Sequence, residues 1–154
     1  MRVAARLRVY LDTSVISAYF DARDPGRSDL TRRCWQQLSK WNATISELVL
    51  EELRAMADAD LRAKMLSLVE PLPVLPWEAR MDDLVAAYTA AGAFSATLRA
   101  DARHVAAAVV AEVPIVVSWN FRHLVNRARR IMVNVVNAAQ GYNQIEIIAP
   151  PELE

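Results

Sequence analysis

Apolar positions along this chain recur at two spacings, and the switches between them divide it into strands and helices. Val9-Tyr10-Leu11, opened by Arg8, is a short apolar run that ends in Asp12-Thr13-Ser14. Its length and composition predict a buried strand, with the polar trio at the C-terminal tip. Val15, Ile16, Tyr19 and Phe20 then repeat at helical spacing. Asp24-Pro25-Gly26 is a turn, and Leu30, Cys34, Leu38 and Trp41 predict an amphipathic helix over 28–40. Ala43-Thr44-Ile45 reads as a short strand, and Ser46 is placed to cap the next helix. That helix buries Val49, Leu53 and Met56, and Glu52 shares their face at i+3 and i−4. Glu47 falls in the first turn, while Glu51 is rotated to solvent.

Leu61, Met65, Leu68 and Val69 mark another helix. Prolines at 71, 73 and 76 fence Val74-Leu75 into a strand suited to a sheet edge. Met81, Leu84, Val85 and Tyr88 predict a helix that Gly92 stops. The alanine-rich stretch 99–112 predicts a helix with Val105, Ala108 and Val109 inward and Pro114 ending it. Asp101 sits in its first turn, with His104 three residues on. Ile115-Val116-Val117 has the all-apolar character of a central parallel strand and delivers Ser118-Trp119-Asn120 at its tip. Ile131, Val135 and Ala138 predict the inner stripe of a last helix capped by Gly141. A final strand over 145–148 and Pro150-Pro151 close the chain. Strand and helix alternate throughout, which predicts an α/β fold: a three-layer α/β/α sandwich with a mostly parallel central sheet, residues 1–154 forming one domain.

Composition narrows the class. An apolar share of 54% over 154 residues excludes a disordered chain and supports a real core. Eighteen basic residues balance eighteen acidic ones, so no global field advertises a nucleic-acid partner, although a sum hides asymmetry between faces. Cys34 is alone, which leaves no disulfide framework or cysteine zinc site and suits a reducing cytoplasm. Arg2, Arg6 and Arg8 interrupt the N-terminus, so no signal peptide is expected. The most apolar stretch, 105–119, is broken by Glu112 and Pro114, and no membrane span is expected.

The candidate chemistry lies at Asp12, Glu52, Asp101 and Asn120, which come from different segments but fall near strand tips and helix starts. In open α/β sheets those positions share one edge. Each has an ordinary explanation taken singly: Asp12 as a helix cap, Glu52 paired with Arg54, Arg99 or Arg103, Asp101 on a helix dipole, Asn120 closing the turn into Phe121. Gathered together, oxygen donors of this kind repel one another unless a hard divalent cation neutralises them. Such a set suits Mg²⁺ or Mn²⁺ rather than zinc.

The segments VYLDTSVISAYF (9–20), ISELVLEEL (45–53), DARHVA (101–106) and VVSWNFRHLVN (116–126), with the closing stretch from Gly141-Tyr142 to Leu153, resemble the PIN domain family in order and over essentially the whole chain. The resemblance implies a metal-dependent ribonuclease of the kind found among VapC toxins of toxin–antitoxin pairs. It implies Asp12 as the first-strand metal ligand with Ser14 in support, Glu52 as the helix glutamate and Asp101 as the third acid. Asn120 falls where many members carry a further Asp. An amide can coordinate through its oxygen, but it removes a negative charge and weakens a second metal position. Mg²⁺ or Mn²⁺ held by Asp12, Asp101, Glu52 and Asn120 would serve phosphodiester hydrolysis. The resemblance also implies an RNA substrate, an antitoxin protein partner and a homodimer. Arg122, Arg127 and Arg130, beside Arg129, are candidate contacts to RNA phosphates. The four tryptophans do not interleave with basic residues and read as core or interface. His104 and His123 read as packed residues more than as general bases. A rival reading is a PIN-fold interaction module whose metal site Asn120 weakens. A phosphohydrolase or receiver-like domain with Asp12 as nucleophile is disfavoured, because position 14 is Ser and no Lys follows Ser118.

Overall fold

The computed structural model describes residues 6–153; Arg2 lies outside them, as do the other terminal positions of the expected 1–154 domain. Strands β1 (Arg8–Leu11), β2 (Asn42–Ser46), β3 (Val74–Leu75), β4 (Ile115–Val117) and β5 (Glu146–Ile148) form one sheet in the order β3-β2-β1-β4-β5. Every pairing is parallel, and β1 sits in register with Tyr10 opposite both Thr44 and Val116. β1 and β4 are buried except at Arg8, as strands covered on both faces must be. β3 takes the edge that its prolines predict.

Helices α1 (Thr13–Tyr19), α2 (Pro25–Gln36), α3 (Glu47–Arg54) and α4 (Ala59–Val69) touch one another, as do α5 (Ala79–Ala90), α6 (Arg99–Val110) and α7 (Arg127–Ala139). They flank the sheet, giving the expected α/β/α sandwich. The chain runs outward from β1 through β2 to β3, then returns to β4 on the other side of β1. The reversal leaves a crevice beyond the C-terminal ends of β1 and β4, the usual ligand position in such sheets.

Two helical stripes and two helix ends differ from expectation. α2 stops at Gln36, and Leu38 belongs to a separate 3₁₀ turn, Leu38–Lys40. Its buried positions are Ser28 and Thr31, and Leu30 is left exposed. Those hydroxyls can face inward because each has a partner: Ser28 donates to Tyr19 O, Thr31 donates to Arg27 O, and Trp119 Nε1 donates to Thr31 Oγ1 at 2.8 Å. α7 is rotated relative to the expected stripe. Val133, Val136 and Asn137 face in, whereas Ile131 and Val135 are 53% and 64% exposed. Asn137 is held by Tyr88 OH and by Asn134, which also accepts the Ile145 amide; this polar ladder fixes the rotation. α6 ends at Val110 rather than at Pro114. Glu112 adopts φ 59°, and Val113 N reaches back to Ala108 O, closing the helix as a Schellman turn. Met56 likewise lies beyond α3, although it packs against the core.

Candidate functional site

Asp12 ends β1 and opens α1. Its carboxylate caps the helix through Ser14 N at 3.0 Å, so the ordinary reading of this residue is true as far as it goes. It also accepts Ser14 Oγ at 2.5 Å on Oδ1 and Ser118 Oγ at 2.6 Å on Oδ2. Ser14 Oγ in turn accepts the Trp119 amide, and Ser118 Oγ accepts the Asn120 amide. Two hydroxyls thus lock a carboxylate that is only 4% exposed to the tip of the neighbouring strand. Burial pushes the Asp12 pKa up, against the His104 charge and the two serine hydrogen bonds that pull it down. Desolvation outweighs those opposing contributions, and a cation nearby would favour the ionised form.

Glu52 reaches the same crevice from α3. Its partner is His104, with Oε1 at 3.0 Å from Nε2, and none of the arginines considered from sequence. His104 Nδ1 lies 2.7 Å from Tyr10 OH, which lies 2.8 Å from Ser46 Oγ. The carboxylate can only accept, so Nε2 carries a proton; in the neutral imidazole Nδ1 then accepts from Tyr10, whose oxygen accepts from Ser46. Ser46 therefore spends its hydroxyl on Tyr10 and not on capping α3, where it makes no side-chain cap bond. Burial raises the Glu52 pKa, but the hydrogen bond and charge of His104, with Thr13 and the Arg103 charge, together outweigh it and leave the carboxyl below its ordinary value. Burial pushes the Tyr10 phenol far up, so it stays a neutral link.

Asp101, in the first turn of α6, approaches from the other side. Its Oδ1 accepts Asn120 Nδ2 at 3.2 Å, while Asn120 Oδ1 accepts the His123 amide at 3.0 Å. Asn120 thus closes the turn after β4 with its oxygen and steadies Asp101 with its nitrogen. Burial again raises the Asp101 pKa, opposed by the charges of His123 and His104 and by Asn120.

Asp12, Glu52, Asp101 and Asn120 are therefore neither scattered nor each paired with its own arginine. Ser118 bridges Asp12 to Asn120 and so to Asp101, and His104 acts electrostatically on all three acids. The donor chemistry fits a hard divalent cation, being carboxylate oxygen with buried hydroxyls around it. Glu52 and Asp101 each commit one oxygen to a hydrogen bond with His104 and Asn120 respectively. As the side chains stand, however, no three His, Cys, Asp or Glu among the described residues are grouped closely enough to ligate one ion.

The arginines divide. Arg122 and Arg127 are exposed, without side-chain hydrogen bonds among the described residues. Arg130 donates to Ile147 O at 3.2 Å, and Arg129 donates to His123 O and Ala93 O. Those two guanidiniums hold the fold together. Sequence reasoning passed over Ser118 as a partner of Asp12 and His104 as the partner of Glu52. It also missed stacking, since Arg27 lies over Trp119 and Arg103 over Trp77, where no interleaving was expected. The spacing of Asp101 and His104 on one helical face was the available signal for the histidine.

No family model matches the sequence, and no curated protein matches it significantly. Solved structures do match in fold. A chain in the crystal structure of FitAcB from Neisseria gonorrhoeae aligns at a TM-score of 0.59 and 14% identity, covering 94% of this chain and 99% of that one. A chain of VapBC2 from Rickettsia felis, bound to a DNA fragment from its promoter, aligns at 0.55 and 10% identity, covering 93% and 98%. The fold is PIN-like. Among the described residues, no helix is long and apolar enough to cross a membrane.

Proposed function

We propose that this chain is a Mg²⁺- or Mn²⁺-dependent endoribonuclease that acts as the toxin of a toxin–antitoxin pair. The observation that carries the reading is the single hydrogen-bonded network joining Asp12, Asn120 and Asp101 beyond β1 and β4, with Glu52 facing it through His104. The PIN resemblance and the fold shared with chains of the VapBC2 and FitAcB structures support it.

In this reading Asp12, Asp101 and Glu52 hold the metal and Asn120 steadies Asp101 beside it. The bound ion would activate water and neutralise charge on the phosphate undergoing hydrolysis. Ser14 and Ser118 fix the Asp12 rotamer, so the carboxylate is oriented before any ligand arrives. His104 keeps Glu52 ionised and pointed into the crevice. Arg122 and Arg127, exposed and without side-chain hydrogen bonds among the described residues, would meet RNA phosphates in this reading. An antitoxin protein and a second copy of the chain belong to the same reading, supported by the exposed Ile131, Met132 and Val135 face of α7.

The alternative, a PIN-fold interaction module, is favoured by one observation: Asn120 offers Asp101 an N–H and spends its oxygen on His123 N. The deciding experiment is cleavage of single-stranded RNA with Mn²⁺ against an EDTA control. The reading expects cleavage by the wild-type chain that EDTA and Asp12→Ala each abolish. Wild-type protein that folds and does not cleave favours the module.

A further inference from the structure

Four arginines lie over aromatic rings: Arg27 on Trp119, Arg32 on Tyr19, Arg103 on Trp77 and Arg129 on Phe94. Three of them have other work. Arg27 pairs with Asp24, Arg32 bonds Ser28, and Arg129 bonds two backbone carbonyls. Arg103 makes neither a hydrogen bond nor an ion pair among the described residues, and its Nε is buried without a partner. The terminal Nη groups are not among the buried unpartnered atoms and make no hydrogen bond among the described residues, so they are the donors left for a ligand. The guanidinium is nonetheless held in place, 4.5 Å from the indole centroid. The indole is itself fixed, because Trp77 N donates to Glu47 Oε2 and Nε1 donates to Asp82 Oδ2, both at 3.1 Å.

Position supplies the rest. Arg103 lies between Asp101 and His104 in sequence, and its charge is felt at Glu52 and Tyr10 without reaching ion-pair distance. A preorganised, planar, unspent cation next to carboxylates suits a phosphate diester, which guanidinium binds through paired N–H groups. The geometry points to Arg103, braced on Trp77, as a substrate-positioning residue that grips an RNA phosphate on the Glu52 side of the crevice. The choice of RNA rests on the nuclease reading. Arg122 and Arg127 would meet the strand on the Asn120 side, so a single strand would cross the acids between two basic grips.

The test is binding of a short, fluorescently labelled single-stranded RNA in EDTA across a salt series, where no cleavage intervenes. Arg103→Gln should weaken binding about tenfold, as loss of a charged hydrogen-bonded contact does. It should also lower the slope of log affinity against log salt by about 0.7, the value for one single-strand phosphate contact. Arg103→Lys should keep the slope while losing part of the affinity. If Arg103→Gln does not fold, Arg103→Met, which fills the same space on Trp77 without charge, carries the same expectation. An unchanged slope in the neutral variant overturns the assignment, as does failure of the wild-type chain to bind RNA. Wild-type cleavage with Arg103-independent binding sinks this inference and leaves the nuclease. Arg103-dependent binding without any cleavage does the reverse.

Discussion

Glu52 and Asp101 flank the same crevice and are both half-buried, yet their surroundings push them in opposite directions. Glu52 meets an imidazole backed by Tyr10 and Ser46, with Arg103 nearby, and its pKa falls. Asp101 meets only an amide, with His123 and Arg129 at longer range, and its pKa rises. Burial works against ionisation on both sides, so the difference lies in the partners. On the Glu52 side the imidazole bonds the carboxylate directly and Arg103 adds its charge. On the Asp101 side His123, His104 and Arg129 act only at longer range, and the direct partner, Asn120, is an amide. In the proposed reading a bound cation would offset the burial that raises the pKa of Asp12 and Asp101, whereas Glu52 already has that help from its neighbours.

The largest expected effect comes from removing the carboxylate that both sides share. Asp12→Ala should reduce metal-dependent cleavage to background while the fold persists, since Ser14 still joins the tips of β1 and β4 through the Trp119 amide. Next comes the Glu52 side. His104→Ala leaves Glu52 without its partner and Tyr10 with Ser46 alone, which should cost about 1–3 kcal/mol of stability in denaturant melts. Asn120→Ala removes two hydrogen bonds in a more open place and should cost less, about 1 kcal/mol. Equal losses would erase the asymmetry.

Asn120→Asp sharpens the comparison from the other side. A carboxylate beside Asp101 should lower the melting temperature in EDTA through like-charge repulsion and enlarge the stabilisation by Mn²⁺. The smallest effect is in the pH profiles. A raised carboxyl pKa favours the fold at low pH and loses that contribution as pH rises through it, so Asp101→Asn should melt higher than wild type at neutral pH in EDTA and lose the advantage in acid. The lowered Glu52 pKa works the other way: its contribution is present above its ordinary value of 4.5 and fades as pH falls through the depressed one. Glu52→Gln should therefore be destabilising at neutral pH and converge on wild type in acid.

Strand periodicity made the sheet readable, because Val9-Tyr10-Leu11 and Ile115-Val116-Val117 are buried on both faces and leave no register to choose. The prolines around Val74 read as an edge for the same local reason. Helix rotation was harder. In α2 and α7 tertiary hydrogen bonds, Thr31 to Trp119 and Asn137 to Tyr88, pull polar residues inward and turn Leu30, Ile131 and Val135 out, against the apolar pattern. The site acids were legible as residues near strand tips and helix starts. Their partners were not, since His104 meets Glu52 across 52 positions and Ser118 meets Asp12 across 106. The Asp101–His104 spacing hints at the histidine's face, but no local pattern names Glu52 or Asp12 as the partner.

The most direct test of the central claim is calorimetric titration of Mn²⁺ into the wild-type chain and into Asp12→Asn, which keeps the shape of the side chain. If the acids exist to share a divalent cation, the wild-type chain binds Mn²⁺, and the variant, which lacks the Asp12 charge, binds far more weakly. Identical heats from the two proteins, or none from either, would contradict the account.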